Sequence, residues 1–272
     1  MGIMSGKRGL VMGVANDHSI AWGIAKACRD AGAELALTFQ AGPFEKRVRP
    51  LAEQLGAATV LPCDVDSEGA IDATFAELAR TWDKLDFVVH AIAYSDKEEL
   101  KGRYLDTSRA NFGKTLLVSC HSFTEVAQAA QPMLNEGGAL LTLSYLGAER
   151  VTPNYNVMGV AKAALEASVR YLATDLGPDG VRVNALSAGP MRTLAGSAIA
   201  DARFTYGWSR DHAPLRRAVR LEDVGNAGLY LLSDLSGGVT GEVHFVDCGY
   251  NVVGIPNPRR MTAGEVDKAK TE

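Results

Sequence analysis

The chain alternates short apolar runs with longer segments that have helical spacing. Seven runs are continuous rather than alternating and rich in branched aliphatic residues, which is typical of strands that are buried on both faces. They lie at residues 9–15, 33–39, 58–62, 85–93, 138–144, 181–187 and 242–247.

Between these runs, apolar residues recur with the period of one helix face. One such stripe comprises Ile20, Ile24, Ala27 and Ala31, and a second comprises Met158, Ala161, Leu165, Ser168, Leu172 and Leu176. Regular alternation of strands and helices predicts right-handed crossovers and a parallel sheet. We therefore predict an α/β protein with one Rossmann-like, doubly wound domain over residues 1–257, built from about seven parallel strands with helices on both faces. Residues 258–272 are predicted to form a polar, flexible tail.

Composition narrows the class of protein. The chain has 272 residues, of which 47% are hydrophobic and 22% charged, values that exclude a disordered chain. The formal net charge of −4 supplies no basic field for nucleic acid. No apolar run approaches the roughly 18 residues that span a bilayer, so membrane insertion is not expected.

Cysteine and histidine usage indicates a reducing compartment and no metal site. The four cysteines form no CxxC pair, and the five histidines form no HxH or HxxxH pair. The apolar stretch near the N-terminus stops at Asn16 and Asp17 without a cleavage-like site. We expect a cytoplasmic protein without a metal ion.

The turn after the first run has features of a phosphate-binding site. GxGxxG is absent, but the turn begins at Gly13, Ser19 stands where a helix N-cap would be, and Ile20 begins the helical stripe. A helix N-terminus with unpaired N–H groups and a capping hydroxyl suits a pyrophosphate. By itself, a glycine after a strand is equally well explained as a simple turn.

The next two strand ends carry candidate contacts to the adenosine half of a dinucleotide. Gln40 follows the second run and can bind a ribose hydroxyl without offering positive charge to a 2′-phosphate. Asp64 and Val65 follow the third run, where they could contact an adenine edge, although Asp64 could equally cap the next helix. Basic residues at 46, 47 and 49 are interpreted as a solvated helix face.

The second half of the chain carries the most specific motif. Tyr145 and Tyr155 are ten residues apart, and Lys162 follows Tyr155 by seven, which places Tyr155 and Lys162 on one helix face. This arrangement resembles the short-chain dehydrogenase/reductase superfamily, with a departure, because its common members use Tyr-x3-Lys and position 159 here is glycine. Tyr-x6-Lys preceded by a second tyrosine is similar to the bacterial NADH-dependent enoyl-acyl-carrier-protein reductases.

The resemblance to this family extends from about residue 5 to residue 254. The segments that carry it are SIAWGIAKA, CDV, HAIAY, SAGPMRTLA and SDLSGGVTGEVHFVDCGY. It implies NADH as cofactor, an enoyl group on acyl carrier protein as substrate, and a homotetramer. The reaction it implies is reduction of the trans-2 double bond, the last step of each fatty-acid elongation cycle.

The resemblance also implies roles for individual residues. Tyr155 would donate a hydrogen bond to the thioester oxygen, Lys162 would hold the nicotinamide ribose, and Tyr145 would line the acyl site as a candidate catalytic residue. Further cofactor contacts would come from Ile92, Met191, Arg192, Thr193, Leu194 and Ala195, with Met191 beside the nicotinamide and Thr193 over the diphosphate. Further substrate contacts would come from Ser95, Met158 and Ile199. The substrate portal would lie near residues 195–210, and we expect it to order over the cofactor when acyl substrate binds.

Two alternative functions would use the same fold. A carbonyl reductase or alcohol dehydrogenase would keep the fold, but position 159 lacks the lysine, and His90-Ala91-Ile92-Ala93 stands in place of Asn-Asn-Ala-Gly. A non-enzymatic nucleotide sensor would not require an intact tyrosine and lysine pair. Gly-Pro-Met-Arg-Thr at 189–193 could also be only a turn and a helix start.

Overall fold

Each of the seven apolar runs forms a strand. The protein is described by a computed structural model covering residues 2–197 and 200–255. The strands are β1 (Arg8–Met12), β2 (Glu34–Phe39), β3 (Thr59–Pro62), β4 (Leu85–His90), β5 (Leu134–Ser144), β6 (Arg182–Ala188) and β7 (Val243–Val246). All pair in parallel in one sheet with the order β3-β2-β1-β4-β5-β6-β7. The predicted doubly wound parallel sheet is therefore confirmed.

Helices connect successive strands. They are α1 (Ile20–Asp30), α2 (Glu45–Gln54), α3 (Ala70–Leu78), α4 (Arg109–Leu116), α5 (Ser122–Ala130), α6 (Asn156–Leu176), α7 (Leu194–Ser197), α8 (Ala202–His212) and α9 (Leu221–Leu232). A single π-helical turn, Leu117–His121, joins α4 to α5. Both predicted helical stripes are present, in α1 and in α6. No helix among the described residues combines the length and apolar character that crossing a bilayer would require.

The apolar core lies on both faces of the sheet. Side chains alternate between the faces along each strand, so Leu10 and Met12 join one cluster and Val11 joins the other. One cluster packs the strands against α1, α2 and α9, and the other packs them against α3, α5 and α6. Burial on both faces explains why the strands are continuous apolar runs rather than alternating ones.

The strand β5 begins earlier than predicted. The apolar pattern predicts a start at residue 138, but Leu134 already pairs with Leu85 before the register shifts. Gly137 has a φ of 81° there, and its N–H donates to the carbonyl oxygen of Gly180. This first part of β5 contains polar residues and glycines, so the apolar pattern of the sequence does not predict it.

The strand order fixes where a ligand can bind. From β1 the chain moves outward to β2 and β3, then crosses to β4 on the other side of β1. A crevice opens at the carboxyl ends of the strands where the order reverses. The predicted site residues follow these strand ends.

Candidate active site

The turn after β1 passes directly against the end of β4. Gly13 has a φ of 98°, and a Cβ on it would lie 2.1 Å from the carbonyl oxygen of Ala91. Only glycine fits that contact and that backbone conformation. Ile92 follows on the β4 side and is half-buried. The two strand ends therefore meet at the crevice with no side chain between them.

Ser19 is at the N-cap position of α1, but its hydroxyl does not cap the helix. The Ser19 hydroxyl instead donates to the Asn16 carbonyl oxygen at 2.6 Å and lies 3.4 Å from the Ala15 N–H, so it closes the turn on itself. The prediction that the Ser19 hydroxyl caps α1 is therefore wrong, because this hydroxyl forms hydrogen bonds with the backbone of residues 15 and 16 instead. The first N–H groups of α1, beginning at Ile20, still lack intrahelical acceptors.

Gln40 and Asp64 contact each other at the ends of β2 and β3. The Gln40 amide nitrogen Nε2 donates to Asp64 Oδ2 at 3.1 Å, and the Asp66 N–H donates to Asp64 Oδ1 at 3.2 Å. The N-cap of α3 is Gly69, so Asp64 is not the cap that was considered for it. Val65, next to Asp64, is buried. An amide and a carboxylate therefore occupy this end of the crevice.

The basic residues of α2 lie on an exposed face, as predicted. Arg49 is paired with Glu45, with Nη2 2.7 Å from the carboxylate, and its guanidinium lies over the ring of Phe39 at 5.8 Å. Arg49 therefore approaches the end of β2 with its charge already compensated.

The segment after β6 turns into the short helix α7. The Thr193 hydroxyl accepts a hydrogen bond from the Gly196 N–H at 3.0 Å, so it caps α7. Met191 packs partly buried against the core, and the Arg192 guanidinium lies 4.9 Å from the Tyr206 ring centroid. Leu194 is half-exposed. The backbone of Ala195 lies in α7, and Ile199 is outside the described residues.

The two tyrosines meet at the end of β5. Tyr145 directly follows the strand, and its ring packs edge-on against the Tyr155 ring with 5.0 Å between centroids. Tyr155 is buried with Leu100, Val157 and Met158. Burial raises the pKa of both phenols, and that of Tyr155 is raised further by Tyr145 and Glu166. Both phenols therefore stay protonated and can donate hydrogen bonds.

Tyr155 lies just before the helix rather than within it. It is the N-cap of α6, and Asn154 and Asn156 on either side have φ values of 59° and 40°. The Asn156 amide donates to the carbonyl oxygens of Leu100 and Gly102 at 3.0 and 3.3 Å. The predicted helical placement is thus correct for Lys162 and one residue short for Tyr155.

Lys162 is buried on α6, with 6% of its surface exposed. Its Nζ donates to the carbonyl oxygen of Leu143 at 2.7 Å. Burial lowers the pKa of this lysine to about 8, although Cys120 and Glu166 favour its charged form. Lys162 is therefore a buried amine near the end of β5, and its protonation changes with pH around 8.

Ser95 lies in a small polar network beyond β4. Its hydroxyl accepts from Thr115 Oγ1 at 2.9 Å and exchanges hydrogen bonds with the Asn111 side chain at 3.2 and 3.3 Å. The sequence singled out Ser95 but not Asn111 or Thr115. Their spacing of four on α4 was the available signal.

A second polar group was missed beneath the site. His90, at the end of β4, is fully buried between Thr142 at 3.2 Å and Ser122 at 2.9 Å. Burial lowers the pKa of His90 to about 3, so the ring is neutral. Glu166 and Ser144 form another buried pair that the sequence analysis did not identify.

The residues at the strand ends fit a dinucleotide. The close approach at Gly13 leaves a cradle that a Cβ would fill, and the adjacent N-terminus of α1 favours a pyrophosphate. Lys162 offers a cation further along the same edge of the sheet. Within the described ranges, no three His, Cys, Asp or Glu residues cluster as they would around a metal ion.

Comparison with known proteins agrees with this geometry. A family model described as "Enoyl-(Acyl carrier protein) reductase" matches residues 13–251. Two enoyl-[acyl-carrier-protein] reductases [NADH] of Rhizobium meliloti are 63% and 59% identical over 93% and 98% of this chain, and over 93% and 99% of their own lengths. The crystal structure of the Anaplasma phagocytophilum reductase in complex with NAD has a TM-score of 0.91 at 58% identity, covering 94% of this chain and 98% of that one. The chain therefore belongs to the enoyl-(acyl carrier protein) reductase family.

Proposed function

We propose that this protein reduces the trans-2 double bond of enoyl-acyl-carrier-protein thioesters with NADH, completing each fatty-acid elongation cycle. The observation that carries the proposal is the buried pair of Tyr155 and Lys162 at the head of α6, beside Tyr145. Family membership and the cradle at Gly13 support NADH as the cofactor.

The chemistry requires a hydrogen-bond donor at the thioester oxygen. When bound, NADH supplies the hydride that adds to C3 of the enoyl group, and negative charge then gathers on the thioester oxygen. Tyr155 would donate its hydroxyl to that oxygen, since burial keeps the phenol protonated. One such donor lowers a barrier by about 3–4 kcal/mol. Tyr145 would shape the acyl pocket, together with Met158 and Ser95.

Lys162 would hold the nicotinamide ribose hydroxyls. Its Nζ donates one hydrogen bond to the Leu143 carbonyl oxygen, and the other N–H groups of the ammonium can donate to a ligand. The positive charge would also favour a developing enolate. The adenosine would be contacted by Gln40, Asp64 and Val65, and the pyrophosphate by the turn that contains Gly13, Ser19 and Ile20. Ile92 would also contact the cofactor. The segment after β6 would cover the diphosphate and the nicotinamide of the cofactor, through Met191, Arg192, Thr193, Leu194 and Ala195.

We propose a homotetramer in the cytoplasm. Four apolar side chains on α4, the π-helical turn and α6 are exposed, and another subunit would bury them. They are Phe112, Leu117, Val160 and Tyr171. The four cysteines are free thiols, as expected in a reducing compartment. Light scattering of the purified protein, alone and after Tyr171→Glu, tests the assembly. A tetramer in both samples would exclude Tyr171 from the interface, and a monomeric protein would contradict the proposal.

The test of activity is NADH oxidation with a crotonyl thioester compared with a panel of ketones. Oxidation with the thioester alone is expected. Oxidation with a ketone but not with the thioester would favour a carbonyl reductase. NADH binding without turnover of either substrate would favour a nucleotide sensor.

A further inference from the structure

Glu166 is a buried carboxylate with no role in the reaction described above. It lies on α6 one turn after Lys162 and is only 6% exposed. Acidic side chains are almost never fully buried unless another group pairs with them.

Ser144 holds the carboxylate. Its hydroxyl, itself buried, donates to Glu166 Oε1. Ser144 is the last residue of β5 and immediately precedes Tyr145. The residue before it, Leu143, accepts the hydrogen bond from Lys162 at 2.7 Å. Two successive residues of β5 are thus tied to two residues one turn apart on α6.

This double tie fixes the elements that carry the site. The end of β5 sets the position of Tyr145, and the start of α6 sets Tyr155 and Lys162. A side chain must be held within about 0.5 Å for such a site to work well. Hydrogen bonds between buried partners supply that precision, because no water competes for them.

The charged and titratable neighbours of this pair come from several elements. Those that act on Glu166 are Lys162 and Arg170 on α6, Tyr155 at its head, and Glu149 after β5. Those that act on Lys162 are Glu166, Cys120 in the π-helical turn, and His90 at the end of β4. His90 is neutral, so Cys120 and Glu166 are the two neighbours in this group that favour the lysine's charge, and Glu166 is the carboxylate of the two.

We propose that Glu166 is a positioning residue of the reductase, whose carboxylate, hydrogen-bonded to Ser144, ties β5 to α6 and holds Lys162 in its ammonium form. The inference rests on the proposed enoyl reductase function. Burial opposes the charge of Lys162, and Cys120 and then Glu166 offset part of that effect on the lysine pKa. Glu166 lies one helical turn from the lysine, on the same helix. The hydrogen bond from Ser144 lowers the pKa of Glu166, while burial and Glu149 raise it. The serine therefore helps keep the carboxylate ionised.

The experiment compares Glu166→Gln with wild type across pH. Glutamine keeps the size of the side chain and an oxygen for Ser144, but it removes the negative charge. The alkaline limb of kcat/KM for a crotonyl thioester should move to lower pH by about one unit. The NADH dissociation constant should rise about three- to tenfold at pH 9 and stay within about twofold at pH 6.

A readout without cofactor separates this inference from the proposed function. In NADH-free protein labelled with ¹³C-lysine, the Lys162 ε-carbon, assigned with Lys162→Arg, should titrate at lower pH in Glu166→Gln. A wild type that does not reduce the thioester would overturn the proposed function, and the lysine titration would still decide the role of Glu166. The matched control is Asp175→Asn, which removes an exposed carboxylate from the same helix; its profiles should coincide with wild type.

Ser144→Ala provides a second variant if Glu166→Gln does not fold. Without the serine donor the carboxylate ionises less readily, so the same limb should move in the same direction by a smaller amount. A uniform loss of activity at every pH, with the limb and the lysine titration unmoved, would mean that Glu166 only packs. That result in either variant would overturn the proposal.

Discussion

The carbonyl oxygen of Gly147 lies 2.7 Å from the point where Gly159 would carry a Cβ. Gly147 is equally constrained, because a Cβ on it would lie 2.4 Å from the Tyr155 ring. The turn after β5 therefore packs directly on the first turn of α6, and the Tyr155 ring lies beside both glycines. A lysine at position 159, as in Tyr-x3-Lys reductases, has no space here. The later lysine, Lys162, is consistent with this close packing.

Gly159→Ala should therefore destabilise the protein, although alanine is the better helix former. The clash involves backbone, which cannot rotate away, and overpacking of this kind costs about 1–3 kcal/mol. The activity should fall as well, because the shift displaces Tyr155. Urea unfolding and kcat/KM with a crotonyl thioester measure both effects.

Gly113→Ala is the matched control for this prediction. Gly113 is also helical, in α4, but a Cβ there meets nothing within 4 Å. Replacing an exposed helical glycine with alanine stabilises by about 0.5–1 kcal/mol. Stabilisation by both substitutions would show that Gly159 is not in tight contact.

The strands and the strand-end site were predictable because their signals are local. A parallel strand buried on both faces has to be apolar throughout, and residues following parallel strands must share one edge of the sheet. Gly13, Gln40, Asp64 and Tyr145 were placed by that rule. Two edge strands, β3 and β7, are only half-buried but kept enough apolar residues to be identified.

The parts that could not be predicted depend on contacts between distant segments. The glycine at 159 was noticed as a departure, but its cause is a carbonyl twelve residues earlier on another element. Ser19 was assigned as a cap from its position, and only the geometry shows that its hydroxyl bonds within the turn. Glu166 lies four residues after Lys162, yet spacing alone cannot reveal that it is buried against Ser144.

NADH should be preferred over NADPH. A 2′-phosphate near Gln40 would meet an amide already bonded to the Asp64 carboxylate, while Arg49 is compensated by Glu45. We expect kcat/KM for NADH to exceed that for NADPH by about tenfold or more. Asp64→Asn should reduce the ratio of kcat/KM for NADH to that for NADPH, since it removes the negative charge that contacts Gln40.

The control for cofactor choice is Asp66→Asn in the same loop. Asp66 is paired with Lys114 at 2.7 Å, so its loss should change the preference less than the loss of Asp64. A wild type that prefers NADPH would contradict the prediction.

Ordering of the portal should depend on the acyl ligand. Asn154, next to Tyr155, donates to the Asp201 carboxylate at 3.0 Å, and Asp201 is the N-cap of α8. The segment proposed to cover the substrate is therefore connected to the turn that carries Tyr155. Hydrogen exchange in α8 should slow when an acyl analogue binds to the NADH complex. Equal protection with NADH alone and with both ligands would argue against this coupling.

Lys162→Met should stabilise the fold at neutral pH. Burial lowers the folded-state pKa to about 8 from an ordinary value of 10.5, so the cost of the buried charge is complete below pH 8 and disappears as pH rises to 10.5. After allowing for the lost bond to Leu143, we expect a gain of about 2 kcal/mol at pH 7 that shrinks toward pH 10.5. Urea unfolding at both pH values measures it.

The control for that stability effect is Lys114→Met. Lys114 is exposed and paired with Asp66, which raises its pKa rather than lowering it. Its replacement should bring no stabilisation at pH 7. If Lys162→Met destabilises the protein equally at both pH values, the lysine is not held at an electrostatic cost.

The two tyrosines and the lysine should differ in which kinetic step they affect. Tyr155→Phe removes only the hydroxyl proposed to donate to the developing oxyanion, so NADH affinity should persist while kcat falls by a factor on the order of 10–1000. The lower end applies if a water or a cofactor hydroxyl takes its place. Tyr145→Phe should reduce kcat less, because its ring keeps the edge-on contact with Tyr155.

Lys162→Ala should instead affect mainly the binding of NADH. It removes the cation proposed to hold the ribose, so NADH binding should weaken markedly and kcat/KM should fall with it. Fluorescence titration of NADH and steady-state kinetics on the three variants separate binding from chemistry. Because Tyr155 is the N-cap of α6 and Lys162 lies in its second turn, a general distortion at the start of that helix would weaken both functions in both variants. Full activity in Tyr155→Phe together with unchanged NADH affinity in Lys162→Ala would remove both assigned roles.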